Sequence, residues 1–211
     1  IQGEVPESTP AATTTSWRFS DLTILGQLHA TYILAQAPEG LILVDQHAAH
    51  ERLLFEALRQ QPEGPAPRQG LLLPQMVELS PEQAAWVEEN LGELHRAGLE
   101  LEPFGGSTFL VRTVPAGLAS QEPGQLAQEI IAELAQLTPT SDPETFRRRL
   151  HLTLACRGAI KAGQTLTAPE MQKLLAALDT LPAASHCPHG RPLWRLLTLG
   201  EIHQNFRRPR R

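Results

Sequence analysis

The fold is decided in the stretch of residues 41–51, which reads Leu41-Ile42-Leu43-Val44-Asp45-Gln46-His47-Ala48-Ala49-His50-Glu51. Its first four residues are all aliphatic, which is typical of a short buried strand. A helix is predicted from about Gln46 to Arg59, because the apolar residues that follow recur at the spacing of one helix face. Asp45 therefore lies where a strand ends and a helix begins.

Turn and capping signals on both sides of this stretch predict the remaining elements. Upstream, a strand is expected over Gln27–Ala35, with a turn at Pro38-Glu39-Gly40 leading into the strand that ends at Asp45. Downstream, the pattern predicts a strand at 71–79, a helix at 80–97, strands at 99–103 and 108–113, and helices at 124–137, 143–162 and 167–178. A loop at 182–192 and a final helix or turn complete the chain.

Two proline-rich stretches, at residues 62–67 and 138–143, mark boundaries within the chain. The predicted fold class is α+β, with an outer subdomain built from both chain ends, residues 17–64 and 145–211. A smaller α/β subdomain, residues 65–144, is inserted into it. Residues 1–16 are rich in Pro, Thr, Ala and Glu and lack the pattern of a signal peptide, so a flexible linker remnant is expected there.

Composition limits where the protein works and what it contacts. No run approaches the ~18–20 apolar residues of a membrane helix, so no membrane association is expected. Two cysteines without a secretory signal predict reduced thiols and a cytoplasmic location. Residues 68–144 contain 12 acidic and 3 basic side chains, whereas the rest of the chain is net positive. The flanks, with Arg147–Arg149 and Arg207–Arg211, therefore suit a polyanion better than the middle does.

Asp45, His47 and Glu51 are candidate ligands of a divalent metal ion. His47 and Glu51 are four residues apart, so a helix places them on one face, beside the carboxylate at the strand end. Imidazole and carboxylate ligands suit zinc or manganese. The alternative is a solvated helix start, in which Asp45 is only a cap and Glu51 only surface charge.

Cys156, Cys187 and His189 are the other candidate donors. Cys187 and His189 are two residues apart in a loop stiffened by Pro188, a spacing that can chelate one ion or bridge two. The alternative is a buried cysteine beside a surface histidine. With Asp45, His47 and Glu51 they make six donors of mixed hardness, which exceed one tetrahedral site and fit a two-ion cluster.

The longest motif, Asp45-Gln46-His47-Ala48 followed by Glu51 and Glu56, resembles the endonuclease signature of MutL C-terminal domains. Ala155-Cys156-Arg157 and Cys187-Pro188-His189-Gly190-Arg191-Pro192 resemble two further blocks of that family, in the same order. The resemblance places the metal ligands on Asp45, His47, Glu51, Cys156, Cys187 and His189. Four further motif residues would support the site without binding metal: Gln46, Glu56, Arg157 and Arg191. Glu56 is expected to have a structural role. Arg157 and Arg191 would either contact phosphate or brace the site.

The resemblance implies a DNA-nicking enzyme that cuts one strand of duplex DNA with low sequence specificity. Cleavage would use Mn²⁺ or Mg²⁺, with Zn²⁺ as a regulatory or structural ion, and Asp45, His47 and Glu51 as catalytic residues. The outer subdomain would carry the nuclease and form a homodimer, and the inserted one would be regulatory. An ATPase domain of the same full-length protein, a mismatch-recognition protein and a nucleoid-associated cytoplasmic location are also expected. The alternative is a non-catalytic MutL-type dimerisation module with a structural or regulatory zinc site.

Gln69-Gly70-Leu71-Leu72-Leu73-Pro74 resembles the short motif by which the family binds the replicative sliding clamp. The resemblance rests on Gln69 and Pro74, which flank a run of aliphatic residues. The alternative is a core strand, in which leucines 71–73 would be buried.

Overall fold

A computed structural model describes residues 17–60, 67–118, 122–136, 142–181 and 186–207. Within these ranges the chain forms six α-helices and seven strands in two antiparallel sheets, which confirms the predicted α+β class. The predicted linker remnant at residues 1–16 and the arginines 208–211 lie outside the described residues. No helix in the described part of the chain is long and apolar enough to cross a membrane.

The elements follow one another in an order that mixes helices and strands. The strands are β1 (Thr23–Leu28), β2 (Tyr32–Ala37), β3 (Gly40–Asp45), β4 (Arg68–Glu78), β5 (Glu100–Gly105), β6 (Thr108–Pro115) and β7 (Trp194–Thr198). The helices are α1 (Gln46–Arg59), α2 (Pro81–Arg96), α3 (Pro123–Ala135), α4 (Pro143–Gly158), α5 (Ala168–Leu178) and α6 (Leu199–Asn205). Short 3-10 helices occupy Phe19–Asp21 and Ala116–Leu118.

The first sheet has the order β1-β2-β3-β7 and carries the strand that ends at Asp45. Its inner face is apolar, with Ile33, Ile42 and Val44 fully buried in a core shared with α5. β7 closes the sheet from the other end of the chain. An ideal Cβ on Gly40 would lie 2.1 Å from the Leu197 carbonyl oxygen, so pairing of β3 with β7 requires glycine at this position.

The second sheet has the order β4-β6-β5 and packs against α2 and α3 around a separate core. Phe109, Val111, Leu94 and Ile130 are among its fully buried members. This core also contains Leu58 of α1 and, from α4, Leu150 and Leu154. Those two helices therefore contribute to the second core while belonging to the predicted outer subdomain, and the subdomain boundaries stay a prediction.

Three local predictions are wrong. The single strand expected over Gln27–Ala35 is two strands, because the chain turns between them with His29 and Ala30 in the left-handed region, at φ 49° and 47°. The helix expected to reach Ala162 ends at Gly158. The expected final helix is present as α6, but the residues directly before it form the strand β7, which pairs with β3 and was not predicted.

Candidate metal centre

Asp45 joins the first sheet to α1. Its Oδ1 accepts a hydrogen bond from the Ala48 backbone N–H at 3.0 Å, which caps the helix. Its own N–H donates to the Leu193 carbonyl at 2.9 Å. Because Leu193 directly follows the loop that carries Cys187, this bond holds that loop beside the start of α1.

Gln46 is fully buried and ties three parts of the chain together. Its side-chain N–H groups donate to the carbonyls of Ala30, at 2.8 Å, and Gln164, at 2.9 Å. Its oxygen accepts a hydrogen bond from Gln27, whose own oxygen accepts from the Leu166 N–H. Gln46 is therefore a structural part of the motif. Its partner Gln27, in β1, was not predicted to contact the site.

Glu51 is the centre of the candidate site. Its side chain is fully buried, yet Oε1 lies 2.6 Å from Nδ1 of His189 and Oε2 lies 3.3 Å from the Arg191 guanidinium. Nε2 of His47, one turn back on the same helix, lies 3.6 Å from Oε2. A carboxylate out of reach of water needs such partners, because burying an unpaired charge is costly.

Cys187 completes a group of three potential ligands. One ligand atom each from Glu51, Cys187 and His189 lie within 4.8 Å of one another. The loop folds back on itself, because the Cys187 N–H donates to the Arg191 carbonyl at 2.7 Å and the Gly190 N–H donates to the Cys187 carbonyl at 2.9 Å. A hydrogen bond to Cys187, with the charges of Glu51 and Asp45, raises the pKa of Arg191.

Cys156 faces the same carboxylate from α4. Burial is the main cause that raises the pKa of its thiol, and the charge of Glu51 adds to the effect. Cys156, Asp45 and His47 nevertheless lie outside the group of three whose ligand atoms converge. The structure thus brings together three of the six predicted donors, with His47 in contact range of one of them. The full set of six stays a prediction.

Comparison with known proteins decides the family. A family model described as "MutL C terminal dimerisation domain" matches residues 25–166, about two thirds of the chain. This chain belongs to the MutL C-terminal dimerisation domain family. It is also similar to proteins named "DNA mismatch repair protein MutL": it is 43% identical over 189 residues to that of Syntrophobacter fumaroxidans, covering 90% of this chain and 28% of the relative.

Two further MutL relatives show the same extent of similarity. The chain is 44% identical over 185 residues to the MutL protein of Paramagnetospirillum magneticum, covering 86% of this chain and 30% of that protein. It is 40% identical over 191 residues to that of Geobacter sulfurreducens, covering 90% and 32%. The chain therefore spans about a third of the length of the curated MutL relatives it matches.

Two polar residues of the MutL-like motifs, Glu56 and Arg157, contact other side chains. Glu56, only 3% exposed, lies 2.9 Å from the guanidinium groups of both Arg52 and Arg59. Arg157 bridges α4 to α3, at 2.6 Å from Glu133 and 3.2 Å from Glu129. The ion pairs of Glu56 are therefore those of a structural residue. Arg157 holds α4 to α3, and bracing was one of the two roles expected for it.

The segment that resembles the MutL clamp motif lies in β4, at the edge of the second sheet. Its pairing with β6 shifts register between Gly70 and Gln75, which takes leucines 71–73 out of the regular ladder. Leu72 and Leu73 are exposed, at 101% and 82%, whereas Leu71 packs against the second core. The alternative of a fully buried core strand is therefore wrong for Leu72 and Leu73.

Proposed function

We propose that this chain is the metal-dependent DNA-nicking domain of a MutL-type mismatch-repair protein and that it forms a homodimer. The observation that carries the proposal is the convergence of Glu51, Cys187 and His189 within 4.8 Å at the start of the signature helix. Carboxylate, thiolate and imidazole are ligands that Zn²⁺ accepts together. Family membership supports the dimer.

The donor set fits a bound metal because the carboxylate and thiol are buried while their neighbours reach solvent. Glu51 is fully buried and Cys187 is 3% exposed, whereas the side chains of His189 and Arg191 are 48% and 55% exposed. The site therefore opens on the side of residues 189–191, where a phosphate can approach the positive charge of Arg191.

In the proposed reaction Asp45, His47, Glu51, Cys156, Cys187 and His189 would together hold the metal ions, which are Mn²⁺ or Mg²⁺ for cleavage and Zn²⁺ in a regulatory or structural role. Asp45, His47 and Glu51 would be the catalytic residues. A bound divalent metal supplies Lewis-acid stabilisation of the charge that develops on a phosphodiester during hydrolysis. Glu51 and Asp45 contribute the negative charge that attracts the ions, and Arg191 orients the backbone phosphate. Contacts to phosphate carry no base information, so sequence specificity is low.

Phosphate contacts outside the site are proposed for the basic flanks. Arg147 lies near the start of α4, and its Nε is 3.8 Å from a carboxylate oxygen of Glu93 in α2. This ion pair with the acidic middle segment partly neutralises the charge of Arg147. Arg207 is exposed at the end of the described chain. Of the basic flanks, the exposed side chains of Arg148 and Arg207 are proposed to attract duplex DNA.

The proposed dimer face is the outer side of the first sheet. Leu34, Leu41, Leu43 and Leu197 alternate with the buried inner residues and are only partly covered. A groove of about 600 Å³ at the same side is lined by Leu25, Leu199 and their neighbours. A second copy of this face would remove these apolar side chains from water, which drives association.

The sliding clamp is the proposed partner of the β4 edge. Two adjacent leucines that are almost fully exposed, Leu72 and Leu73, form an apolar projection of the kind that marks a protein contact. Gln69 and Pro74 flank them, as in the motif of the family. The ATPase domain of the full-length protein and a mismatch-recognition protein are proposed as further partners.

Nicking of supercoiled plasmid with Mn²⁺ tests the proposed activity. Asp45→Asn should abolish nicking, because it removes a charged ligand while asparagine still caps α1. Asp142→Asn is the matched control, since Asp142 caps α4 in the same way, accepting from the Thr145 N–H at 2.9 Å. Nicking by Asp45→Asn at the parental rate would contradict the proposal, and zinc binding without nicking in the parent would favour the non-catalytic dimerisation module.

A further inference from the structure

Two histidines of α1 hydrogen-bond to the backbone of a single residue, Ile160, which follows α4. Nδ1 of His47 lies 2.9 Å from the Ile160 carbonyl oxygen. The Ile160 N–H donates to Nδ1 of His50 at 3.0 Å. The two rings therefore hold both polar atoms of one residue more than 100 positions away. His50 is the one of the two that the proposed function leaves without a role.

The bonding partners fix where the ring protons lie. A carbonyl oxygen only accepts hydrogen bonds, so Nδ1 of His47 must carry a proton. A backbone N–H only donates, so Nδ1 of His50 must present its lone pair. The backbone N–H and C=O of Ile160 thus select opposite tautomers on two histidines three residues apart.

The tautomer of His47 decides what its other nitrogen can do. A neutral imidazole with its proton on Nδ1 has a free lone pair on Nε2. That Nε2 lies 3.6 Å from Oε2 of Glu51, whose Oε1 contacts His189. The free pair is therefore available beside the group of Glu51, Cys187 and His189. Histidines that bind metals commonly donate their second N–H to a backbone carbonyl, which fixes the ring.

We propose that His50 is a positioning residue, which fixes the backbone at Ile160 so that the Ile160 carbonyl holds His47 with Nε2 free to bind the metal. This inference rests on the proposed function, because it concerns the metal site. Without an acceptor at position 50, the Ile160 N–H loses its partner, and the backbone at Ile160 can shift so that its carbonyl moves away from His47. The fold should persist, because Gln46 still holds the following residues through the Gln164 carbonyl.

Three variants separate this role from general damage to the helix. His50→Leu removes the acceptor. His50→Asn keeps one, because an asparagine oxygen lies as many bonds from Cα as Nδ1 does. His151→Leu is the matched control. His151 is a partly buried histidine of α4, and burial is the main cause that lowers the pKa of its ring, with the charge of Arg147 adding to the effect. Each protein is measured for zinc affinity by chelator competition, and for the His47 tautomer by long-range ¹H–¹⁵N NMR of the metal-free form.

His50→Leu should bind zinc about 10–100-fold more weakly and lose the pure Nδ1–H tautomer at His47. His50→Asn and His151→Leu should match the parent. Parental zinc affinity with an unchanged His47 tautomer in His50→Leu would overturn the proposal. A proton on Nε2 of His47 in the metal-free parent would also overturn the proposal. This second test does not depend on whether His50→Leu folds. A parent that binds no zinc would overturn the proposed function, while the spectra of the metal-free protein would still decide the role of His50.

Discussion

Helix α1 buries two carboxylates five residues apart, and their surroundings differ completely. Glu56 lies between Arg52 and Arg59 of its own helix, at 2.9 Å from each. Glu51 meets side chains from a loop almost 140 residues away, with Nδ1 of His189 at 2.6 Å and the Arg191 guanidinium at 3.3 Å. Cys187 lies beside it as well. Both glutamates belong to the same motif, yet only Glu51 has imidazole and thiol neighbours, which are groups that can bind a metal.

This difference shows that the burial of a motif carboxylate does not by itself indicate function. A buried charge needs compensation, and Glu56 receives it from two permanently charged guanidinium groups. Glu51 receives less fixed positive charge, because Arg191 is more than half exposed and the imidazole and thiol are not permanent cations. Imidazole and thiol side chains are also of the types that bind zinc. A metal ion can therefore complete the compensation at Glu51, whereas none is needed at Glu56.

The largest expected effect is the loss of zinc affinity in Glu51→Gln. Because Glu51 is the proposed direct ligand, zinc affinity should fall by more than the roughly 10–100-fold that loss of an outer partner costs. Glu56→Gln is the matched variant and should keep the parental affinity. Competition with a chromogenic chelator measures both proteins. Equal affinities in the two variants would break the distinction between the two carboxylates.

A smaller effect is expected on the stability of the metal-free protein, and here Glu56→Gln should be the more damaging of the two variants. Glu56→Gln should lower the free energy of unfolding by about 1–3 kcal/mol, because Arg52 is mostly buried and loses its charged partner. Glu51→Gln should cost less, since its nearest cation, Arg191, is exposed to water. Urea unfolding in the presence of a chelator measures both. A greater loss in Glu51→Gln than in Glu56→Gln would contradict the assignment of Glu56 as the structural residue.

The smallest effect is expected at the exposed partner of Glu56. Arg59 is 58% exposed, so Arg59→Ala should change the free energy of unfolding by no more than about 0.5 kcal/mol. Arg52 is only 22% exposed, so Arg52→Ala should lower the free energy of unfolding by more than Arg59→Ala does. The same urea experiment compares the two. If Arg59→Ala proves the more damaging, the two contacts to Glu56 have been ranked in the wrong order.

The sequence predicted the local elements of the site and missed its distant pairings. The helix Gln46–Arg59 was expected with the bounds it has, because its period and its capping residue are local signals. The turn at His29 and Ala30 was missed, since neither residue is one of the Gly, Pro, Asn, Asp or Ser residues that usually mark a turn. β7 was missed because its partner, β3, lies about 150 residues earlier. No local pattern shows such a pairing.

The site was predictable in its residue types and less so in its geometry. Spacing placed His47 and Glu51 on one face, and the resemblance to MutL added Cys156, Cys187 and His189. Neither could show that Glu51 rather than Asp45 lies at the centre, since that follows from the folded loop of residues 187–191. The hydrogen bonds of Gln27 and Ile160 to motif residues were also invisible, because each joins segments far apart in the chain.

Anomalous diffraction at the zinc edge, from crystals of this chain grown with zinc, tests the account most directly. The predicted result is a strong peak about 2.3 Å from Sγ of Cys187 and about 2.0–2.2 Å from a nitrogen of His189 and an oxygen of Glu51. No peak is expected at Glu56, because both of its carboxylate oxygens are ion-paired with Arg52 and Arg59. Zinc bound only at other histidines, with none between Glu51, Cys187 and His189, would contradict the account.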